Sequence, residues 1–378
     1  MKIRKLNAKK VLNSRGESTI EVSVNGFSAA APSGASVGSH EVQAFPKQGI
    51  GFCIDFINNF KEIEKLNFRE FEDLEKVEHI LPVVGANTVI ALEYALLKAL
   101  SKGKVWKFLN PSAKSLPTPL GNCVGGGAHV KRGIDIQEIL LIPEGRNFYE
   151  RSFVNKYVYN KIGKVIGTKN KTDEGAWAPI MSDFDALSSV FDVVQDVSKT
   201  LNTKVKIGID HAASELWKNN AYRYKNLKGS SQNLTKTQQV NLVKEMVLKF
   251  KLKYVEDPMQ QEDFVGFSKV RSSGTLICGD DLICTSLERL KEALKRNAVN
   301  CIIVKPNQVG SLIRTKEIVD FAAKNRIATV ISHRSGETLD ATISHLAVAW
   351  NIPYIKAGIY GPERQAKLKE LIQIEKEI

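Results

Sequence analysis

Three carboxylates, Asp210, Glu256 and Asp280, each close a short apolar run: Val205-Lys206-Ile207-Gly208-Ile209, Tyr254-Val255 and Leu276-Ile277-Cys278-Gly279. Brought side by side, bare carboxylates repel unless a proton or a cation sits among them. With no His or Cys in the set, all-oxygen donors suit a hard ion, Mg²⁺ rather than zinc. Any one alone reads as a helix N-cap; three at the same place in consecutive units favour a site. Lys305 and Lys356 close two further runs, Ile302-Ile303-Val304 and Tyr354-Ile355. Lysine seldom ends an apolar strand unless it snorkels or functions. A lysine beside cations has its protonated form disfavoured and can serve as a general base near neutral pH. Either one alone reads as an exposed loop lysine, which is a weaker reading for both.

His333-Arg334-Ser335-Gly336 puts a planar fork donor and a hydroxyl before a glycine turn, an arrangement that suits an anionic oxygen cluster such as a phosphate. Upstream, Gly126-Gly127-Ala128-His129 lies ahead of Gln137-Glu138, and Asp173-Glu174-Gly175 ahead of Ala178-Pro179. Isolated glutamates are usually surface groups, so their weight depends on the rest of the site. A hard metal, a lysine base, nearby carboxylic acids and an anion clamp have a natural reaction. They would abstract a weakly acidic proton α to a carboxylate and expel a leaving group with acid assistance.

These residues need elements that bring them together. From residue 200 onward, short β-branched runs end on Asp210, Glu256, Asp280, Lys305, His333 and Lys356, and after Glu256 the spacing is 23 to 28 residues. One strand, one helix and two loops take about that many residues, which makes these βα units. The longer interval from Asp210 to Glu256 holds a polar stretch, Lys218 to Gln239, read as an excursion. No Gly-x-Gly-x-x-Gly follows a strand, and ionisable residues fall at the strand ends, so the units point to an α/β fold with a closed (β/α)₈ barrel rather than a doubly wound sheet. Before it, Ile20, Val22 and Val24 alternate, Asn25-Gly26 supplies a hairpin turn, and Phe27, Ala29 and Ala31 resume the alternation. Residues 53–80 and 86–100 carry apolar residues at helical spacing. Turn formers between Asn110 and Pro119 mark a boundary, which gives a smaller N-terminal α+β domain over 1–112 and the barrel over 113–378.

The 378 residues are 43% hydrophobic and 25% charged, which excludes disorder, collagen and a membrane bundle. The formal charge of +13 suggests an anionic partner. However, residues 151–171 hold six basic residues and 218–236 hold five, with no acidic residue in either, so the excess is local decoration. In the first stretch Phe153, Val154, Tyr157, Val158, Ile162, Val165 and Ile166 stand at helical spacing, which makes its lysines a solvated helix face. No nucleic-acid motif accompanies them. Five scattered cysteines without Cys-x-x-Cys argue against disulfides and structural zinc. Neither the apolar core of a signal peptide nor a run of about 20 apolar residues that could span a membrane is evident, so a cytoplasmic location is expected.

The chain resembles the enolases from end to end. The similarity is carried by Asn13-Ser14-Arg15-Gly16, Ser33-Gly34-Ala35-Ser36-Val37-Gly38-Ser39-His40-Glu41, Gly85-Ala86-Asn87, and Gly126-Gly127-Ala128-His129 leading to Gln137-Glu138. It continues through Asp173-Glu174-Gly175, Ile209-Asp210, Val255-Glu256-Asp257-Pro258, Gly279-Asp280-Asp281-Leu282 and Lys305-Pro306-Asn307-Gln308-Val309-Gly310. It ends with Ser332 to Thr338 and Ile355-Lys356-Ala357-Gly358. The resemblance implies a glycolytic lyase, the Mg²⁺-dependent hydratase that interconverts 2-phosphoglycerate and phosphoenolpyruvate. It implies that Asp210, Glu256 and Asp280 bind the tighter of two Mg²⁺ ions and that Lys305 removes the C2 proton. Glu174, paired with Glu138, would assist loss of the C3 hydroxyl. Lys356 would hold the substrate carboxylate and Arg334 with Ser335 the phosphate, while His129 and His333 line the pocket. Ser36 would close over the substrate and help bind the second ion. A barrel with unusually connected first strands and a homodimer or higher homo-oligomer are implied as well.

The sequence departs from the family in the short, uncharged Val42-Gln43-Ala44-Phe45-Pro46 after Glu41 and in Ala176-Trp177 after Gly175. Two other readings are set beside this one. A relative acting on another 2-hydroxy acid predicts loss of the phosphate clamp, yet Arg334, Ser335 and Ser36 are present. A mainly non-catalytic binding protein is prompted only by the +13 charge.

Overall fold

The computed structural model describes residues 1–34 and 39–378. Its N-terminal part is an antiparallel meander, β1 (Leu6–Leu12), β2 (Ser18–Val24) and β3 (Phe27–Ala30). The alternation Ile20, Val22, Val24 puts three fully buried side chains on one face. Asn25 (φ 50°) and Gly26 (φ 91°) both take the left-handed conformation that a two-residue hairpin needs. Helix Leu81–Ser101 covers that face. By length and composition this helix could cross a bilayer, a feature the sequence reading did not single out. Its apolar window is 83% buried inside the protein, as in a core helix.

The helical spacing over 53–80 resolves into a shorter helix, Gly49–Asn58, followed by 3₁₀ turns and a single helical turn. The Asn58 side chain leaves the helix end to pair with both backbone groups of Ala8 on β1, at 2.7 and 3.1 Å. That pairing fixes the helix on the sheet and ends it there.

Residue 118 begins a closed eight-stranded barrel. Its first strands are β4 (Thr118–Gly125), β5 (Glu138–Pro143) and β6 (Val205–Asp210). The stretch after Asp210 is indeed an excursion. It forms a small antiparallel sheet of β7 (Trp217–Lys218), β8 (Ala221–Tyr224) and β9 (Gln232–Leu234), and the following helix already starts at Lys236. The barrel continues with β10 (Tyr254–Glu256), β11 (Leu276–Gly279), β12 (Cys301–Val304), β13 (Ala328–Ser332) and β14 (Tyr354–Lys356), and β10 pairs with β6 to close it.

One strand breaks the all-parallel pattern expected from the βα rhythm. β5 pairs antiparallel with both β4 and β6, because β4 returns through a short loop instead of a helix. Two helices, Phe148–Ile166 and Asp183–Thr200, then follow in succession. The reversal matters for chemistry. It brings the first residue of β5, Glu138, into register with the last of β6, Asp210, so Glu138 reaches the rim where the other strands end.

The solvated-helix reading of 151–171 needs a correction. Val154, Val158 and Ile162 are buried, but Phe153, Tyr157 and Val165 are exposed. The last three lie off the buried stripe, because each residue turns about 100° around the helix axis.

Candidate active site

On β10, β11 and β12 the strand period of two turns the residue two below the rim, Tyr254, Cys278 or Ile303, into the barrel lumen. Tyr254, Cys278, Cys301, Ile303 and Val330 fill it with Leu120, Leu140 and Ile142. Above this apolar floor lies a cavity of about 50 Å³. Its lining gathers His129, Glu138, Glu174, Asp210, Asp280, Lys305, His333, Arg334, Ser335 and Lys356. Of the other expected residues, Glu256 is fully buried beneath the cavity wall, and Ser36 lies outside the described residues.

Lys356 is the hub. Its Nζ lies 2.7 Å from Glu138 Oε2, 2.9 Å from Asp210 Oδ2 and 3.0 Å from Glu256. Lys305 Nζ pairs with Asp280. Burial penalises both ammonium groups, but the facing carboxylates outweigh it and raise both lysines. These directions describe lysines beside bare carboxylates, whereas the sequence expectation concerns lysines beside a bound cation. Glu256, buried beside Asp210, is pushed up to about 8, and the Tyr254 hydroxyl donates to it from the lumen at 2.6 Å. Asp280 stays below the usual range because Lys305 outweighs its burial.

The chemistry of these donors fits a hard divalent cation. Asp210, Glu256 and Asp280 supply only oxygens on three successive barrel strands, and raised Glu256 marks negative charge that a cation would relieve. Oxygens of Asp257, Asp280 and Asp281 also converge within 4.8 Å. Asp257, however, spends its carboxylate on the backbone N–H groups of Asp280 and Asp281, at 3.0 and 2.7 Å, and so orients that turn.

Across the cavity, Asn122 Nδ2 donates to Glu138 at 2.9 Å and to Glu174 at 3.3 Å, holding the two carboxyl groups together. Burial, partly offset by Lys356, combines with Glu174 and Asp210 to raise Glu138 well above the carboxylate range. Glu174 stays low despite its burial because His333 and His129 stand beside it and Glu138 bonds to it. His129, 2.7 Å from Asp173, is raised by Glu174 and Asp173 against burial. Burial keeps His333 neutral at pH 7. The Glu174 loop is clamped from behind: the Tyr159 hydroxyl donates to the Gly175 carbonyl at 2.7 Å, and Trp177 Nε1 to the Tyr159 carbonyl at 2.9 Å. Gly175 takes φ 83°, and a Cβ there would lie 2.8 Å from the Tyr360 ring. The departure at Trp177 therefore strengthens the clamp through its ring stack on Tyr159.

The phosphate-type clamp is built by the N-terminal sheet as much as by the barrel. Ser33 and Gly336 exchange two backbone hydrogen bonds of 2.8 Å. Ser14 Oγ donates to Ser335 O at 3.1 Å, and buried Arg364 donates to Ser335 O at 2.7 Å. Arg334 is gripped by Glu41 through bonds of 2.9 to 3.1 Å and by Asn307 Oδ1 at 3.0 Å. Gly34 runs so close that a Cβ there would meet the guanidinium at 2.1 Å. The short segment after Glu41 is anchored by Val42 N to Gln308 O at 2.9 Å and by Ala86 N to Gln43 O at 2.9 Å.

Several of these partners carried no role in the sequence reading. Glu41, Asn307, Gln308, Asp257 and Asp173 stood in recognised motifs without an assignment. Asn122 and Arg364 had no signal, since a polar residue inside an apolar strand or a cation on an amphipathic helix reads as ordinary until its neighbours are known.

A family model described as "Enolase, C-terminal TIM barrel domain" matches residues 113–378. An enolase of Methanothermobacter thermautotrophicus is 40% identical over 404 aligned residues, which cover 100% of this chain and 97% of the relative. The chain belongs to the enolase family. An enolase of Methanosphaera stadtmanae is 39% identical and one of Picrophilus torridus 36%, each across 100% of this chain and covering 97% and 99% of those relatives. Within the enolase family, the rim described above occupies the barrel face where (β/α)₈ enzymes keep their active sites.

Proposed function

We infer that the protein is a hydro-lyase that interconverts 2-phosphoglycerate and phosphoenolpyruvate in glycolysis and gluconeogenesis. Full-length similarity to enolases supports this reading. The observation that carries it is the pairing of partly buried Lys305 and buried Lys356 with carboxylates on one rim, opposite a buried arginine clamp.

Lys305 is the base that takes the C2 proton from its position beside Asp280. Lys356 holds the substrate carboxylate, and Arg334 with Ser335 holds the phosphate. The Glu138–Glu174 pair, which shares a proton, gives it to the departing C3 hydroxyl so that water leaves; a raised carboxyl is suited to that task. His129 and His333 shape the wall around this pair. Asp210, Glu256 and Asp280 are the residues that would hold Mg²⁺, with Ser36 assigned to a second ion. Bound there, Mg²⁺ would neutralise the carboxylates facing Lys305 and stabilise charge building on the substrate carboxylate. A homodimer and a cytoplasmic setting belong to the same proposal. Arg334 and Ser335, both buried at the cavity, favour a phosphorylated substrate over another 2-hydroxy acid.

With Mg²⁺ and 2-phosphoglycerate, the ultraviolet absorbance of phosphoenolpyruvate is expected to rise. A flat trace from folded, Mg²⁺-supplied protein would overturn the assignment.

A further inference from the structure

The second basic stretch of the sequence does not lie idle on the surface. β7, β8 and the turn after them face the loop that runs from Gly127 to Asp135, and together they enclose a groove of about 730 Å³. Five cations line it: Lys131 and Arg132 from the loop, and Lys218, Arg223 and Lys225 from the excursion. All five are exposed, and among the described residues none of them forms an ion pair within 4.0 Å. By contrast, Lys228 and Lys236 of the same stretch, outside the groove, pair with Glu245 and Asp263. The acidic residues in the lining are Asp135 and Glu215. Asp135 is buried and accepts the backbone N–H groups of Lys225 and Asn226, both at 2.8 Å. Its carboxylate therefore braces the two walls against each other and does not cancel the cations at the mouth. The groove also shares Gln137, Ala212 and Glu215 with the reaction cavity, so the two adjoin.

The groove lining sets five cations against two carboxylates, and it stands beside the reaction cavity. Like-signed charges lining a cleft focus their field and raise the local concentration of a counter-charged ligand. We propose that the groove is a second anion site, which captures a phosphate monoester, the substrate included, and delivers it to the adjoining cavity. The delivery step rests on the function proposed above; the anion site itself does not.

Two measurements test it on the full chain, with Lys131, Arg132, Lys218, Arg223 and Lys225 all changed to Gln. Exposed substitutions of this kind cost little stability, and an unchanged melting temperature checks that the fold is kept. In the hydratase assay at low ionic strength, kcat/KM is expected to fall about tenfold with kcat within about twofold. The salt dependence of kcat/KM should flatten, because screening then has less charge to act on. In the second measurement, inorganic phosphate titrated calorimetrically into the unsubstituted chain should bind one equivalent more than it does in the variant. Equal stoichiometry in the two proteins, or an unaltered salt slope, would overturn the proposal. So would preferential binding of a single-stranded oligonucleotide over phosphate, which would make the groove a nucleic-acid face. If neither protein turns over 2-phosphoglycerate, the functional assignment fails and the phosphate titration still decides the groove.

Discussion

The lumen and the rim of the barrel are made from the same strands, two residues apart, and could hardly differ more. On β10, Tyr254 points into the lumen and Glu256 to the rim; on β11 the pair is Cys278 and Asp280, and on β12 it is Ile303 and Lys305. The lumen holds apolar side chains whose burial stabilises the fold. The rim holds buried charges whose mutual attraction barely offsets their desolvation, so it contributes chemistry and little stability. The difference teaches that a rim residue should affect turnover first and a lumen residue folding first.

The strongest way to break that division is at β12. Replacing Lys305 with Ala should reduce kcat by about 10²–10⁴, as loss of a general base does. It should also lower the melting temperature of Mg²⁺-free protein, because Asp280 loses its cation. Added Mg²⁺ should recover much of that loss, since an ion bound only to the native state stabilises by about 2.7 kcal/mol at a hundred times its dissociation constant. An enzyme that still turns over at near-normal rate would refute the role of Lys305. Two residues back, Ile303→Ala should cost about 2–5 kcal/mol of stability through the cavity it leaves. Chemical denaturation reads that loss, Mg²⁺ should not repair it, and kcat should stay within a few-fold. The smallest effect belongs to a contact that joins the layers. Tyr254→Phe removes the 2.6 Å hydrogen bond to Glu256, whose Oε2 keeps Lys356 as a donor, and should cost about 0.5–1.5 kcal/mol. If denaturation of this variant shows no loss, the two layers are independent even there.

Much of this was legible before any coordinates. The period of about 25 residues marks βα units because each strand, helix and pair of loops consumes that length, and it put Asp210, Glu256, Asp280, Lys305 and Lys356 at one level. The reversal of β5 was hidden, because a six-residue buried strand looks alike in either direction, although the resemblance to enolases carried unusual connectivity at that place. Glu138 consequently had no rim assignment from spacing alone and gained its role from the motif it sits in. Spacing can count which charges share a rim, but only geometry tells that Lys356 meets Glu138, Asp210 and Glu256 at once. The grip of Glu41 on Arg334 and of Ser14 on Ser335 joins residues 293 and 321 positions apart. No local pattern encodes such pairs.

The comparison of basic stretches follows the same logic at the surface. In the outer helix Lys161 is paired with Asp196, and just beyond it Lys171 stacks against Tyr360, Trp177 and Tyr159. In the excursion, the cations of the groove have no such partners among the described residues. Pairing alone does not separate the two stretches, since Lys228 and Lys236 of the excursion are paired as well; what separates them is that Lys218, Arg223 and Lys225 line a groove.

The central claim, that Lys305 takes the C2 proton while Glu174 and Glu138 handle the leaving group, is tested most directly by hydrogen exchange. 2-Phosphoglycerate is incubated with Mg²⁺ in D₂O with either Glu174→Gln or Lys305→Ala, and deuterium at C2 is followed by NMR. The account predicts exchange without phosphoenolpyruvate formation in Glu174→Gln and no exchange in Lys305→Ala. Exchange that survives loss of Lys305, or that disappears only with Glu174, would contradict it.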